Sequence, residues 1–242
     1  MKTSEYIAFT IDRLPKGYVF TYVDFITKVN KKEAIIKALN RMAVSGKIVK
    51  LTRGKFYKPE ITAYGNLQPK LHQIVKDLLE DNGKTIGYVT GYSIYNQMGL
   101  TTQVSNTIQI GKNEIRPSLK RERYTISFIK QKNTIIKENI PLLQILDAIR
   151  YIKKIPDTSN TIAVKRILAI ISGLKENGIL ILVRLALKYP PAVRALTGAL
   201  LQEAGKTNIT KLLRKSLNPI TTYRFSGITN IISSAQDWNI KE

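Results

Sequence analysis

The sequence has no cysteine, a single histidine, a single tryptophan, and fewer than half as many acidic as basic residues. Without cysteine there is no disulfide, no thiolate metal site and no thiol nucleophile, which suits a reducing compartment. His72, between Leu71 and Gln73 on an expected helix, cannot build a histidine metal centre and suits a surface or packing role better than general-base work. The longest apolar run, 178–183, ends at Arg184 and falls far short of the about 18 residues of a membrane span. Residues 1–12 show no basic region followed by an apolar stretch, so no secretion signal is expected and the cytoplasm is the expected location. Acidic residues are scattered. Asp77, Glu80 and Asp81 come nearest to a magnesium cluster, but they fall at an expected helix end, where solvent would satisfy them. Gly83-Lys84-Thr85 and Gly205-Lys206-Thr207 resemble the end of a phosphate loop, yet Leu78 and Leu200 stand where its first glycine belongs. No catalytic constellation, cofactor or metal is expected, and the chain reads as a binding protein rather than an enzyme.

What is present is positive charge. Lys and Arg number 39 against 17 Asp and Glu over 242 residues, a formal net charge of +22, so the surface attracts polyanions. Nucleic acid is the first candidate and an anionic membrane surface the second. The charge is densest between Lys28 and Lys58, where ten Lys or Arg face one acidic residue. Within this stretch Ala34, Ile35, Ala38, Leu39 and Met42 recur at helical steps, with Lys37, Asn40 and Arg41 on the other side. Asn30 and Glu33 form an expected capping box, and Ser45-Gly46 the stop. Strand periodicity follows in 47–51, then a Thr52-Arg53-Gly54 turn and a second strand, 55–58. Helix, tight turn and basic hairpin make up the DNA-contacting half of a winged helix-turn-helix, whose second helix enters the major groove.

The expected fold class is α+β, in three parts. Residues 1–65 form the winged helix-turn-helix, with a first helix over 3–14 that turns Tyr6, Ile7, Phe9, Ile11 and Leu14 partly inward. A β-like run at 18–20 and a short helix over 22–27, anchored by Tyr22 and Phe25, lead to the recognition helix. Residues 61–68 are the expected linker. Residues 66–156 form a small mixed α/β domain. Its helix over 69–81 is stopped by Gly83, and a short strand, a Gly-Tyr-Ser turn and a one- to two-turn helix run to Gly99. Strands follow near 107–110, 123–130 and 133–136, with Gly111-Lys112-Asn113 as a turn, and then a helix over 140–155. Residues 157–242 form a helical region with segments near 161–176, 178–188, 190–204 and 208–217, entered through the hinge and cap 157–160. The stretch beyond 218 lacks a clear period and is open to three readings: a hairpin, a partner-binding tail or disorder. Trp238 suits a tail anchor better than a base-stacking platform.

The stretches SGKIVKLTRGKFYKP and IGYVTGYSIYNQMGLTTQ, with the later YPPAVRALTGALLQEAG, resemble the AbiEi family of antitoxins from type IV toxin-antitoxin systems and its uncharacterised relatives. The resemblance covers most of 1–205 and leaves the tail after 218 without support. It implies a cytoplasmic regulator that represses its own operon by binding inverted repeats in double-stranded DNA. It also implies opposition to a nucleotidyltransferase toxin without a stable complex.

For DNA, Lys31, Lys32 and Lys37 would neutralise phosphates, while Asn40 and Arg41 are types that read adenine and guanine edges bidentately. Arg53, Lys55 and Lys58 would place the hairpin on the minor groove or the backbone. A second basic cluster, Lys112, Arg116, Lys120, Arg121 and Arg123, could widen the DNA footprint or touch RNA. The competing reading is a protein-interaction module whose C-terminal half holds an acidic partner. An inverted-repeat operator could be occupied by a dimer or by monomers that bend the duplex.

Overall fold

The structure is a computed structural model, and it describes residues 2–29 and 31–242. The expected Asn30 cap lies outside the described residues. The architecture is α+β, and the chain divides into two compact units, Met1–Leu78 with Leu119–Tyr124, and Leu79–Ser118 with Thr125–Glu242. Sequence patterning predicts boundaries at 65/66 and 156/157. By contact density the first unit instead runs on to Leu78, and everything from 125 onward shares one unit.

In the first unit, α1 (Thr3–Asp12), β1 (Val19–Thr21), α2 (Val23–Ile26), α3 (Lys32–Val44), β2 (Val49–Thr52) and β3 (Lys55–Tyr57) follow in order, and the strands form an antiparallel sheet ordered β1-β3-β2. A helix of 13 residues such as α3 is marginal alone in water. It is held by burial of Ile35, Ala38 and Leu39 against Ile7, Ile11, Phe20, Phe25, Ile48 and Phe56. Burial of each large side chain is worth about 1.5–3 kcal/mol. Phe9, expected inward, is exposed, because it sits half a turn from Ile7 and Ile11; the Arg13 guanidinium covers its ring at 4.6 Å. At the start of α2 the Thr21 hydroxyl accepts from Val23 N, and the Asp24 carboxylate accepts from Thr21 N. This reciprocal cap fixes the chain as it enters the helix.

The expected linker 61–68 is instead a small hairpin of β4 (Glu60–Thr62) and β5 (Gly65–Leu67). The expected helix over 69–81 is two single turns, α4 (Leu71–Ile74) and α5 (Lys76–Leu79). Gly83 does not stop a helix. It lies in the tight turn Asn82-Gly83, which joins β6 (Glu80–Asp81) to β7 (Lys84–Thr85).

In the second unit, β8 (Tyr88–Thr90) leads through Gly91 into α6 (Tyr92–Gln97). Next come β9 (Thr107–Lys112), β10 (Leu119–Arg121, counted with the first unit) and β11 (Tyr124–Lys130). Strand β9 pairs antiparallel with β8 and parallel with β11. The expected turn at Gly111-Lys112 is therefore strand. Glycine is needed at 111 because a Cβ there would stand 2.4 Å from the Tyr88 ring. Residues 133–136 form no strand.

The remaining helices are α7 (Ile140–Arg150), α8 (Asn160–Ser172), α9 (Glu176–Ala186), α10 (Pro191–Glu203) and α11 (Lys211–Lys215). The Ser159 hydroxyl caps α8 by accepting from Ile162 N at 3.2 Å. The tail is ordered. Strands β12 (Tyr223–Arg224) and β13 (Ile240–Lys241) pair in parallel, and Tyr223, Phe225, Ile228, Ile232 and Trp238 enter the same core as α7 to α10. Trp238 is an anchor, as its isolation in the sequence suggests, with its Nε1 donating to Gln202 Oε1 at 2.9 Å.

Candidate nucleic-acid interface

The geometry of α3 separates two faces. Ile35, Ala38 and Leu39 are buried, while Lys31, just before the helix, and Lys32, Lys37, Asn40 and Arg41 along it are exposed. Lys37 and Arg41 are four residues apart and so lie on one face of the helix, with Asn40 beside them. Among the described residues none of these cations is ion-paired; Lys32 Nζ rests 5.0 Å above the Tyr22 ring. The same outer face carries Ile36 and Val44, one turn before and one turn after Asn40. Exposed apolar groups between hydrogen-bonding side chains are what a thymine methyl would meet in a major groove. Both positions follow from the helical period once the buried face is fixed, but reading for charge alone passes over them.

In the hairpin of β2 and β3, Gly54 takes a left-handed φ of 76° in the turn, and Arg53 is exposed beside it. Lys50 is exposed on β2, between half-buried Val49 and buried Leu51. Lys55 and Lys58 have other occupations. Lys58 Nζ donates to the carbonyls of Asp12 and Leu14, at 2.7 and 2.8 Å, closing the C-terminal end of α1. Lys55 Nζ lies 2.5 Å from Asp77 Oδ2 with its side chain only 16% exposed. Burial pushes the Lys55 ammonium below its ordinary value, and the Asp77 carboxylate partly offsets that. Both lysines hold the hairpin in place rather than reaching away from it.

The second basic cluster divides in the same way. Arg116, Lys120 and Arg123 are exposed, with the Arg123 guanidinium 5.0 Å over the Tyr124 ring, but Lys112 and Arg121 are buried. Arg121 grips Asp77 with both nitrogens, Nη1 to Oδ1 at 2.6 Å and Nη2 to Oδ2 at 2.8 Å, and Nη1 also donates to the Ile74 carbonyl at 2.8 Å. Asp77, expected to be solvated, is thus the hub of Lys55 and Arg121. Partial burial raises the pKa of its carboxyl, but the hydrogen bonds and charges of Arg121 and Lys55 outweigh this and hold it below the usual range. Among the described residues no group of three or more His, Asp or Glu could hold a metal, and no helix is long and apolar enough to cross a membrane.

The second unit buries one carboxylate of its own. Asp147, 1% exposed on α7, accepts from Tyr88 Oη at 2.7 Å, Tyr189 Oη at 2.9 Å and Thr90 Oγ1 at 3.0 Å. Burial pushes its carboxyl up to about 6 despite these donors. The phenols of Tyr88, Tyr95 and Tyr189 are likewise pushed up by burial and by the neighbouring carboxylate. Enclosed by three hydroxyl donors in an apolar core, Asp147 has the geometry of a structural anchor.

Comparison with known proteins agrees with this architecture without adding an activity. The crystal structure of RV2827C protein from Mycobacterium tuberculosis is similar with a TM-score of 0.58 at 11% identity, over 93% of this chain and 86% of that one. At that identity the likeness speaks for the fold alone. No curated protein matches the sequence. A family model does match residues 6–179, a span that takes in the exposed face of α3, the Arg53 turn and both aspartate hubs, and the chain therefore belongs to the family of unknown function DUF6088.

Proposed function

We propose that the N-terminal 1–65 segment is a winged helix-turn-helix that binds double-stranded DNA, with α3 in the major groove and the Arg53 turn as wing. The observation that carries this reading is the unpaired, outward-facing set Lys37, Asn40 and Arg41 on a helix whose opposite face is locked into a core. It is supported by the element order, helix, strand, two helices and two strands, with the first strand beside the last. In this assignment Asn40 and Arg41 read base edges, Lys31, Lys32 and Lys37 meet phosphates, and Arg53 with Lys50 follows the backbone beside the groove. Lys55 and Lys58 hold the wing.

With the resemblance of its sequence to AbiEi antitoxins, the larger reading is a cytoplasmic autorepressor that binds inverted repeats upstream of its own operon. It would serve as the antitoxin to a nucleotidyltransferase toxin, without a stable complex. The test is binding to a fragment of its own upstream DNA and to unrelated DNA across a salt series. Arg41→Ala should cost about 1–3 kcal/mol on the operator and little elsewhere, whereas Arg53→Ala should weaken both alike. The slope of log affinity against log salt should be about −0.9 per phosphate met. Sequence-indifferent binding by the wild type, or two unaffected variants, would refute the DNA reading. The antitoxin role is tested separately: co-expression should relieve growth arrest caused by a nucleotidyltransferase encoded beside this gene, and persistent arrest would count against it.

A further inference from the structure

Away from α3, the second unit holds a pocket of about 660 Å³ whose wall is built from Lys130, Lys132, Arg150, Lys188, Arg194 and Tyr189. These residues come from four places in the chain: the end of β11 and the loop after it, the end of α7, the loop between α9 and α10, and the first turn of α10. Among the described residues lining the pocket none is acidic, and none of the five cations is ion-paired. Lys130, Lys132 and Lys188 are exposed. Arg150 Nη1 donates to the Lys130 carbonyl at 3.5 Å, and its guanidinium lies 5.2 Å over the Tyr151 ring. Arg194 donates from Nη1 to the Ser216 carbonyl at 2.7 Å, while its Nε is buried without a partner among the described residues. Five like charges around one concavity repel one another, and an anion inside it would relieve all of them together.

The floor beneath this charge is rigid. Gln131 Nε2 donates to Tyr88 Oη and Tyr189 Oη, both at 2.8 Å, and Gln131 Oε1 accepts from Asn133 N at 2.8 Å. The Tyr189 ring is thereby fixed, and Leu187, Pro190 and Pro191 continue an apolar wall beside the cations. Pro190 caps α10 at its positive end, and that end also borders the pocket. The volume lies within the roughly 300–1,000 Å³ of small-molecule sites.

We propose that this pocket binds a nucleoside di- or triphosphate, the cations taking the phosphates and the wall of Tyr189 and the two prolines taking the nucleoside. The inference stands apart from the DNA reading, because it uses no residue of α3 or the wing.

Isothermal titration of the full chain with inorganic triphosphate, ATP and GTP at near-physiological salt tests it. At least one nucleotide should bind, and more tightly than triphosphate. Lys132→Gln with Lys188→Gln, two exposed side chains, should weaken binding by at least about tenfold. Arg150→Gln should weaken it as well. Lys165→Gln with Lys211→Gln removes the same charge elsewhere on the unit and should leave affinity within about twofold. Failure of both nucleotides to bind, triphosphate binding as tight as either, or an equal loss in the distant double variant would overturn the proposal.

Discussion

Each unit has one aspartate with several side-chain partners, and the two solve opposite problems. Asp77 is surrounded by charge: Arg121 and Lys55 lie against it, and its carboxyl is held below the ordinary carboxylate range. Asp147 is surrounded by neutral hydroxyls in the middle of an apolar core, and its carboxyl is pushed up to about 6. Three hydrogen bonds do not offset the near-complete removal of Asp147 from water, whereas two cations outweigh the partial burial of Asp77, whose side chain is 45% exposed. Cations that look alike in sequence therefore divide into those spent on an internal carboxylate and those left exposed with no ion pair among the described residues.

The sharpest way to break the contrast is Asp77→Asn, which leaves Arg121 and Lys55 packed against a neutral amide. It should destabilise the first unit by about 2–4 kcal/mol, moderated because the Asp77 side chain is 45% exposed. Hydrogen exchange at the β2 and β3 amides should report the loss; unchanged protection there would mean the cations need no counter-charge. In the second unit, packing rather than charge should dominate. Gly198→Ala places a Cβ 2.2 Å from the Trp238 ring and should cost about 1–3 kcal/mol, with the indole fluorescence shifting as the ring is displaced. A silent substitution would show that the tail is not firmly seated.

The pH dependence sharpens the comparison further. Asp147 has a folded pKa above its ordinary 3.8, so its contribution to stability is full below about pH 4 and is lost as pH rises through about 6. Asp77 runs the other way, contributing above 3.8 and losing that contribution as pH falls through its depressed value. The difference between wild type and Asp147→Asn in unfolding free energy, measured by denaturant titration, should therefore change between pH 4 and 7, on the order of 2 kcal/mol. A flat difference would place that carboxylate in a wetter site than the structure shows. The smallest effect belongs to Lys58→Met, which removes the ammonium from the Asp12 and Leu14 carbonyls and should cost about 1 kcal/mol.

The parts of this molecule that can be read from its sequence are those with a period. The buried faces of α3 and α8 follow from three- and four-residue spacing, and in α3 the same spacing leaves Lys37 and Arg41 outside. What cannot be read is set by contacts between distant positions. Lys55 and Arg121 are as basic as Arg53 and Arg123, and only the location of Asp77 separates them. Gly111 suggests a turn by type, but the Tyr88 ring claims the space a side chain would fill. The tail has aromatic and branched residues at irregular intervals, so no periodicity announces that Tyr223, Phe225 and Trp238 complete a core.

Because Arg121 belongs to the same compact unit as residues 1–78, that unit is not contiguous along the chain. During synthesis the first 78 residues emerge with the Ile74 carbonyl and the Asp77 carboxylate still lacking their guanidinium, and some forty residues must leave the ribosome before it arrives. A chain cut short after Leu78 would carry that gap permanently. Completion of the N-terminal unit is thus tied, through one arginine, to translation of the stretch that opens the second unit.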